Sequence, residues 1–288
     1  MDKKISGIDN TFQGYKNLIG LYYALMDVYF ENIELEIQGW FAANMGAALG
    51  CILDKVAGNM NEVKVKATQT ATARILQKNQ FLTFYGHARE HDSYHTTIRF
   101  QKLTADDGRS FKDYVMGELL ERTELPEMSA GVKEAMATGI YEIFVNAQIH
   151  SSSSNIYTCG QYFPRKNKIE FTIVDNGIGF QQKINQRFGS QLSAGQAIKW
   201  ALKDGNTTKE IVSGGIGLAL LREFVEKNKG KMQIISGNGF YQFSGEGEEI
   251  HSFESPFPGT IVNLQFKTDD PLSYLLSIEN VPNPNEIF

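Results

Sequence analysis

An acidic residue and an amide stand four positions apart in the middle of the chain. Glu142 and Asn146 lie within the predicted helix 129–150, so their side chains share one face of it. An amide oxygen is a hard ligand suited to Mg²⁺, and a carboxylate beside it can take a proton from a nucleophile. His150 lies one further turn along that face. An amphipathic helix with solvated polar residues accounts for the same spacing.

A second motif, Asp-Asn-Gly-Ile-Gly-Phe at 175–180, directly follows the apolar strand predicted at 168–174. The strand ends in a carboxylate, Asp175, at the rim of a tight turn. An ionised carboxylate only accepts hydrogen bonds, which suits it to the exocyclic amine of adenine. Gly177 and Gly179 let the backbone approach a flat ring or a phosphate closely. An ordinary Asn-Gly turn also explains the motif.

A glycine-rich segment at 213–220 opens the helix predicted at 216–228. Free backbone N–H groups and the positive end of a helix dipole together make an anion site suited to a polyphosphate. The segment lacks the Lys-Ser/Thr ending of a Walker motif, and no short strand precedes it as a dinucleotide-binding fingerprint requires. Its candidate ligand-binding residues are Gly214, Gly215, Gly217 and Leu218.

A fourth signal is Pro-Gly-Thr at 258–260, before an alternating strand predicted at 260–267, although a plain turn is the simpler explanation for it alone. The order of the four motifs is more informative than any one of them. A Glu-x-x-x-Asn helix, Asp-x-Gly-x-Gly, Gly-Gly-x-Gly-Leu and Gly-Thr in succession resemble the GHKL superfamily over residues 110–267. That superfamily includes sensor histidine kinases, anti-sigma-factor kinases, MutL, type II topoisomerases and heat-shock chaperone ATPases.

The resemblance implies that ATP and Mg²⁺ bind to this half of the chain, and it gives the matching residues their roles. Asn146 corresponds to the Mg²⁺ ligand, and Glu142 to the general base or water-positioning acid. Asp175 corresponds to the adenine-binding acid, and Thr260 to a threonine that supports the adenine pocket. Beside Asp175 stand Gly177 and Gly179, and the phosphate-binding segment contains Gly214, Gly215, Gly217 and Leu218.

The resemblance also makes the long polar stretch 181–213 a mobile lid over ATP. Lys203, Asn206, Thr207 and Thr208 either reach the phosphates from this lid or form a solvated loop. No arginine finger is identifiable, so the candidate cations for the phosphates are Lys203, Lys209 and Arg222.

The neighbouring sequence narrows the kind of GHKL protein. The residues around Asn146 are closest to anti-sigma-type kinases, and the compact second half counts against topoisomerases and MutL. No helical hairpin carries a phosphoacceptor histidine. His87, His91 and His95 have a four-residue spacing, but the segment 86–95 reads as a connector, which disfavours both a metal site and a phosphoacceptor there.

The first hundred residues predict a small α/β layer after a frayed segment 1–14. Strands at 32–38, 62–66 and 96–103 alternate with helices. This pattern loosely resembles STAS-like domains, the module of anti-anti-sigma factors, and equally fits a generic α/β scaffold. The turn at 41–45, where STAS-like domains present a phosphorylatable serine, contains no hydroxyl.

The predicted fold class is α/β, with a GHKL sandwich in which a helix layer covers a mixed sheet. The expected domains are 1–105, an α/β regulatory or partner-binding domain with the STAS-like resemblance described above, and 106–268, the ATP-binding domain. The residues 269–288 form a tail that docks on the domain or on a partner.

The composition of the chain argues against nucleic-acid binding and against a membrane-spanning segment. The chain has 288 residues and a net charge of −5, without the basic footprint of a nucleic-acid binder. No apolar stretch is long enough to predict a membrane span. Cys51 and Cys159 fit no metal or disulfide spacing, so we expect reduced thiols and a cytoplasmic location.

The sequence therefore predicts a Mg·ATP-binding regulatory protein that hydrolyses ATP or phosphorylates a partner protein on Ser/Thr. Its expected ligands are ATP and ADP, with a protein partner and, as is common in the superfamily, a homodimer. Two alternatives stay open: a non-catalytic interaction module switched by nucleotide, and a true histidine kinase.

Overall fold

The structure is a computed structural model that describes residues 1–104, 106–150, 155–203 and 216–276. It is an α/β protein, as predicted. The strands are β1 (Asp2–Ile8), β2 (Asn32–Phe41), β3 (Glu62–Ala67), β4 (Thr97–Thr104), β5 (Asn155–Phe163), β6 (Lys168–Asp175), β7 (Lys231–Ser244) and β8 (Gly247–Lys267). The helices are α1 (Phe12–Tyr23), α2 (Gly46–Ala57), α3 (Thr70–Lys78), α4 (Gly108–Val115), α5 (Ala130–His150), α6 (Gly179–Phe188), α7 (Ala194–Ala201) and α8 (Ile216–Lys227).

A three-stranded parallel sheet, in the order β1-β2-β3, forms the first layer. The alternating residues Ile33, Leu35 and Ile37 of β2 are fully buried, which is the period-2 pattern of a strand with one covered face. The expectation that residues 1–14 are frayed is wrong. Ile5 and Ile8 are buried, and β1 pairs with β2 along its length, because hydrogen bonding to a neighbour compensates for its polar sequence.

A five-stranded sheet, in the order β4-β5-β6-β8-β7, forms the centre of the molecule. Each adjacent pair is antiparallel, so the prediction of a mixed sheet is wrong. The predicted strand 96–103 is β4, but it pairs with β5 in this sheet and not with the strands of the first layer. The direction of the strands in this sheet and the partner of β4 both depend on pairing between segments that are distant in sequence. Local periodicity carries no information on such pairing.

Helices cover both faces of the five-stranded sheet. On one face, Phe171 and Phe266 pack in a core with the helices α4, α5 and α8. On the other face, Tyr157, Cys159 and Ile261 pack in a second core with α1 and α2 of the first layer. The sheet is therefore shared between the two halves of the chain.

A buried polar network joins the first layer to the sheet. The side-chain amide of Asn44 donates to the Thr172 hydroxyl at 2.9 Å and to Asn263 Oδ1 at 3.3 Å. Asn263 in turn donates to Glu170 at 2.7 Å, and Lys168 Nζ lies 2.6 Å from the other oxygen of that fully buried carboxylate. Buried polar groups are costly when unpaired, so this network favours one docking of the layer over others.

The described part of the C-terminal segment docks on the sheet-and-helix core. Tyr274 is buried, its ring lies 4.8 Å from that of Phe224, and its backbone bonds to Glu127 and Ser129 beside the start of α5. The sequence predicted that the tail docks either on the domain or on a partner, and the described part of the tail docks on the domain. Among the residues with a described structure, no helix has the length and apolar character needed to cross a bilayer.

Candidate functional site

A cleft of about 420 Å³ lies between α5, the end of β6, α6 and α8. Residues from all four sequence motifs line it, although the motifs are widely separated in the chain. The predicted site residues on its walls are Asn146, Asp175, Gly179, Leu218 and Thr260. Ile143, Phe180 and Val262 supply apolar surface, and Lys183 supplies a positive charge.

Asp175 is the carboxylate of this cleft. It ends β6, directly opposite Thr260 of β8 in the strand register. The backbone N–H of Gly177 donates to its Oδ1 at 2.7 Å. Burial raises the pKa of Asp175 to about 6, and this rise is limited by the Gly177 N–H, by the charge of Lys183 and by the Thr260 hydroxyl. At neutral pH the group is therefore an ionised acceptor in a weakly hydrated setting.

The turn after Asp175 is held against the neighbouring strands by Ser236 of β7. The Ser236 hydroxyl accepts a hydrogen bond from the Phe180 backbone N–H at 2.8 Å and lies 3.3 Å from the Thr260 hydroxyl. Gly179 has a φ of +77°, and a Cβ there would lie 2.7 Å from the same Ser236 oxygen. This glycine is thus required by backbone conformation and by packing within the protein, a different reason from the ligand approach that the sequence predicted.

Gly259 allows the closest backbone approach at the site. A Cβ at this position would lie 1.9 Å from the carbonyl oxygen of Asp175. The same carbonyl lies 3.9 Å from the Cys51 sulfur of α2, which packs behind the cleft. Asp175 is therefore fixed by contacts from both halves of the chain.

The predicted helix pair is only partly in the cleft. Asn146 of α5 lines it, whereas Glu142, one turn earlier and half-buried, is not among the described residues on its walls. The side chain of His150 lies outside the described residues. The structure places the amide and the Asp175 carboxylate in the lining of one cleft, and the proposed base is not among the described lining residues.

The glycine-rich segment is described only in part. Gly214 and Gly215 lie outside the described residues, and of Gly217 only the helical backbone is described. Leu218 is buried at the start of α8 and contributes an apolar wall. The phosphate-binding role of the glycines stays a prediction.

The predicted lid is folded in its first half. Residues 181–203 contain most of α6 and all of α7, and Ile184, Ala197 and Ile198 are buried there. The capping box at Ser193 and the contacts of α7 with β7 fix this part to the sheet. The lid role of the stretch 181–213 stays a prediction. Most residues of this stretch are polar, so the few apolar positions that make the two helices amphipathic were not detected as a helical pattern.

The predicted lid residues and candidate cations include described residues, which do not line the cleft, and residues outside the described ranges. Lys203 is exposed just after α7, and Arg222 is engaged elsewhere, with its Nη2 2.7 Å from Glu248 and its guanidinium over the Phe243 ring. Neither is among the residues that line the cleft as described. Asn206, Thr207, Thr208 and Lys209 lie outside the described residues.

Lys183 and Ser236 are the site residues that the sequence analysis missed. Lys183 follows Gly179 by one helical turn, so a helical interpretation of 179–188 would have placed it near Asp175. Ser236 has no local signal, because its role depends on the pairing of β7 with β8.

The three histidines do not form a site in the structure. The segment 86–95 is not helical, and His87 Nε2 lies 2.6 Å from the Val65 carbonyl oxygen. Within the described ranges, no group of three or more His, Cys, Asp or Glu side chains is arranged to hold a metal ion.

No protein-family model matches the chain, and no curated protein matches it. The chemistry of the site is therefore argued from its own residues.

Proposed function

We propose that this chain is a Mg·ATP-binding regulatory protein of the GHKL, histidine-kinase-like superfamily. The observation that carries the proposal is the meeting of Asn146, Asp175 and Thr260 in one cleft of about 420 Å³. Three motifs that are far apart in sequence thus supply a half-buried acceptor, a supporting hydroxyl and an amide suited to a metal in one place.

The base end of the cleft fits adenine. The Asp175 carboxylate accepts a hydrogen bond from the exocyclic amine. The Thr260 hydroxyl bonds to this carboxylate and so orients the carboxylate. Ile143, Val262 and Leu218 give the flat ring apolar walls. Asp175 discriminates against rings without the amine, because such a ring gives its ionised carboxylate one hydrogen-bond donor fewer.

The same cleft offers groups that suit the phosphates. Asn146 offers an oxygen to Mg²⁺, and the Lys183 ammonium adds positive charge to the lining. Mg²⁺ held by Asn146 would supply charge neutralisation for the phosphates. Glu142, one turn along α5, takes the proton from water or from a serine or threonine hydroxyl of a partner. The γ-phosphate thereby passes to water or to the partner protein.

The domain around β1–β3 docks the partner, and nucleotide state controls that docking. We place the protein in the cytoplasm, where ATP is available and both thiols stay reduced. The partner is a protein, not a nucleic acid, because the net charge is −5.

One observation favours a second candidate function, a nucleotide-switched interaction module without catalysis. Glu142 is not among the described residues that line the cleft. In this alternative, ATP stays bound and unhydrolysed, and only its binding changes the affinity for the partner.

The test is turnover of γ-labelled ATP with Mg²⁺ by the wild type and by Glu142→Ala, alone and with cell lysate. The proposal expects released phosphate or a labelled protein with the wild type, and a loss of about 10²- to 10⁴-fold in the variant with ATP affinity unchanged. Glu134→Ala is the matched control, because Glu134 is an exposed carboxylate of the same helix, paired with Lys112. Equal turnover in Glu142→Ala would remove this residue as the base. Tight binding without turnover would establish the second candidate.

A further inference from the structure

Three large apolar side chains are exposed together at one end of the three-stranded sheet. Tyr29, Phe30 and Met60 expose 55%, 76% and 73% of their surface, and we call this group the apolar tip. Tyr29 and Phe30 precede β2, and Met60 precedes β3. Single exposed apolar residues are common, but contiguous ones mark interaction surfaces.

The two loops of the apolar tip are bonded to each other. The Phe30 backbone N–H donates to the Asn59 carbonyl at 3.3 Å. The Asn61 side chain bridges the loops, because its amide donates to the Val28 carbonyl at 2.8 Å and its oxygen accepts from the Glu31 N–H at 2.9 Å. The apolar tip is therefore held in one arrangement before any partner binds, which lowers the entropy lost on binding.

The backbone conformation at the apolar tip is unfavourable for its own residues. Phe30 has a φ of +58° and Met60 a φ of +60°, in the left-handed region that bulky residues rarely adopt. Glycine would be relaxed at both positions. The side chains are mostly exposed, so burial in this fold does not compensate for the strain, and an outlier of this kind points to a role outside the folded core.

The surroundings of the apolar tip are acidic. Asp27, Glu31 and Glu62 are exposed in or next to the two loops. Lys64 pairs with Glu62 at 3.1 Å, and the Met1 ammonium donates to the Asn32 carbonyl next to Glu31. Asp27 and Glu31 form no ion pair with the described residues and leave two carboxylates on the rim. A negative rim around an apolar centre is complementary to a partner that carries the opposite charge.

We propose that the apolar tip binds a basic amphipathic helix of a partner protein. The apolar face of that helix packs on Phe30 and Met60, and its lysine or arginine residues meet the rim of Asp27 and Glu31. Methionine and aromatic side chains suit this use because they adapt to varied apolar faces. The acidic rim disfavours a second copy of this chain and an anionic membrane, since each would bring like charges together. The inference specifies the partner docking of the proposed function, but it does not depend on ATP chemistry.

The test uses a labelled peptide of leucine and lysine at amphipathic helical spacing, about five turns long, in a fluorescence anisotropy titration. The comparison peptides are a leucine–glutamate version and a scrambled leucine–lysine version. The protein variants are Phe30→Gly/Met60→Gly and a matched control, Tyr94→Gly/Leu272→Gly, which removes two exposed apolar side chains elsewhere. ATP affinity and melting temperature are measured on each variant.

We expect the patterned basic peptide to bind the wild type and the control alike, and to bind Phe30→Gly/Met60→Gly about tenfold more weakly or worse. Both comparison peptides bind weakly, and the melting temperature of this variant is equal to or above that of the wild type, because glycine relieves the left-handed strain. Equal peptide binding by this variant, equal binding of the leucine–glutamate peptide, or a lowered melting temperature would overturn the inference. So would a wild-type dimer in sedimentation that the variant dissolves. Loss of ATP binding by the wild type would refute the proposed function and leave this inference standing.

Discussion

Asp175 serves two opposing requirements at the scale of a single residue. Burial favours its neutral form and raises its pKa to about 6. The proposed recognition of the adenine amine requires the ionised form, which the Gly177 N–H and the Thr260 hydroxyl support. Without a ligand, this carboxylate is a source of instability in the folded protein above pH 6.

We expect Asp175→Asn to stabilise the apoprotein and to abolish ATP binding. The folded pKa of about 6 is above the ordinary value of 3.8, so the carboxyl favours folding while it is protonated and this benefit is lost as the pH rises through 6. The variant should therefore gain on the order of 1–2 kcal/mol in unfolding free energy at pH 8 and nothing near pH 4. Urea denaturation at both pH values measures this gain. A variant that binds ATP as tightly as the wild type would remove Asp175 from the adenine pocket.

The same pKa predicts that nucleoside affinity falls in acid. Below pH 6 the Asp175 carboxyl becomes protonated and loses the charge that attracts the amine, so affinity should fall by up to about tenfold per pH unit. Adenosine is the better ligand for this titration, because phosphate groups protonate in the same range. Calorimetry from pH 8 to pH 5 would follow the change. An adenosine affinity that is constant over this range would contradict a role for the ionised form.

At the scale of elements, strand pairing builds the polar row behind the cleft. Asp175 of β6 lies opposite Thr260 of β8, which lies opposite Ser236 of β7. The three side chains are therefore neighbours across three strands. Gly259 permits this row, because β8 passes within contact of the Asp175 carbonyl there.

Gly259→Ala should accordingly disrupt both the fold and the site. Its Cβ would lie 1.9 Å from the Asp175 carbonyl oxygen, so β8 must move away from β6. We expect a loss of about 2–4 kcal/mol in unfolding free energy and weaker ATP binding. Gly245→Ala is the control, because a Cβ at Gly245 meets no atom within 4 Å. Matching denaturation curves for the two variants would show that β8 tolerates the displacement.

Local sequence patterns identified most of the helices and strands but not their partners. The predicted strands at 32–38, 62–66 and 168–174 and the predicted helix at 216–228 coincide with elements of the structure. The strand β5 was missed, because burial on both faces removes the alternation that marks a strand. The direction of pairing in the central sheet depends on contacts between distant segments, which no local pattern contains.

In the candidate site, too, local sequence patterns identified some residues, while others depend on pairing between distant segments. Asn146, Asp175 and Thr260 stand at element ends or on a helix face, where their spacing carries information. Glu142 shares that face in sequence, yet it is not among the described residues that line the cleft. Ser236 acquires its role only through the pairing of β7 and β8, so the sequence alone had no means of finding it.

At the scale of the whole molecule, the central sheet belongs to both halves of the chain. Its strand β4 comes from before residue 105, and its second face is covered by α1 and α2. The network of Asn44, Thr172 and Asn263 fixes this cover in register.

We therefore expect a fragment 106–288 to fail as an independent unit. It lacks β4, which would expose the edge of β5, and it lacks the cover over one face of the sheet. A longer fragment, 91–288, restores β4 but not the cover, and co-expression with 1–90 should yield a soluble complex of the two. Gel filtration and near-ultraviolet circular dichroism would follow the assembly. A sharp thermal transition of 91–288 alone would contradict the need for the cover.

Both cysteines of the chain lie at the junction that this cover makes. Cys159 contacts the carbonyl oxygens of Ala43 and Asn44, and Cys51 contacts the carbonyl oxygen of Asp175. Each is completely buried, and burial raises the pKa of each thiol, so neither reacts while the junction is closed. The rate at which a thiol reagent labels the native protein thus reports how often the two halves separate. A slower rate with nucleotide present would reveal ligand-driven clamping without the need for an added probe.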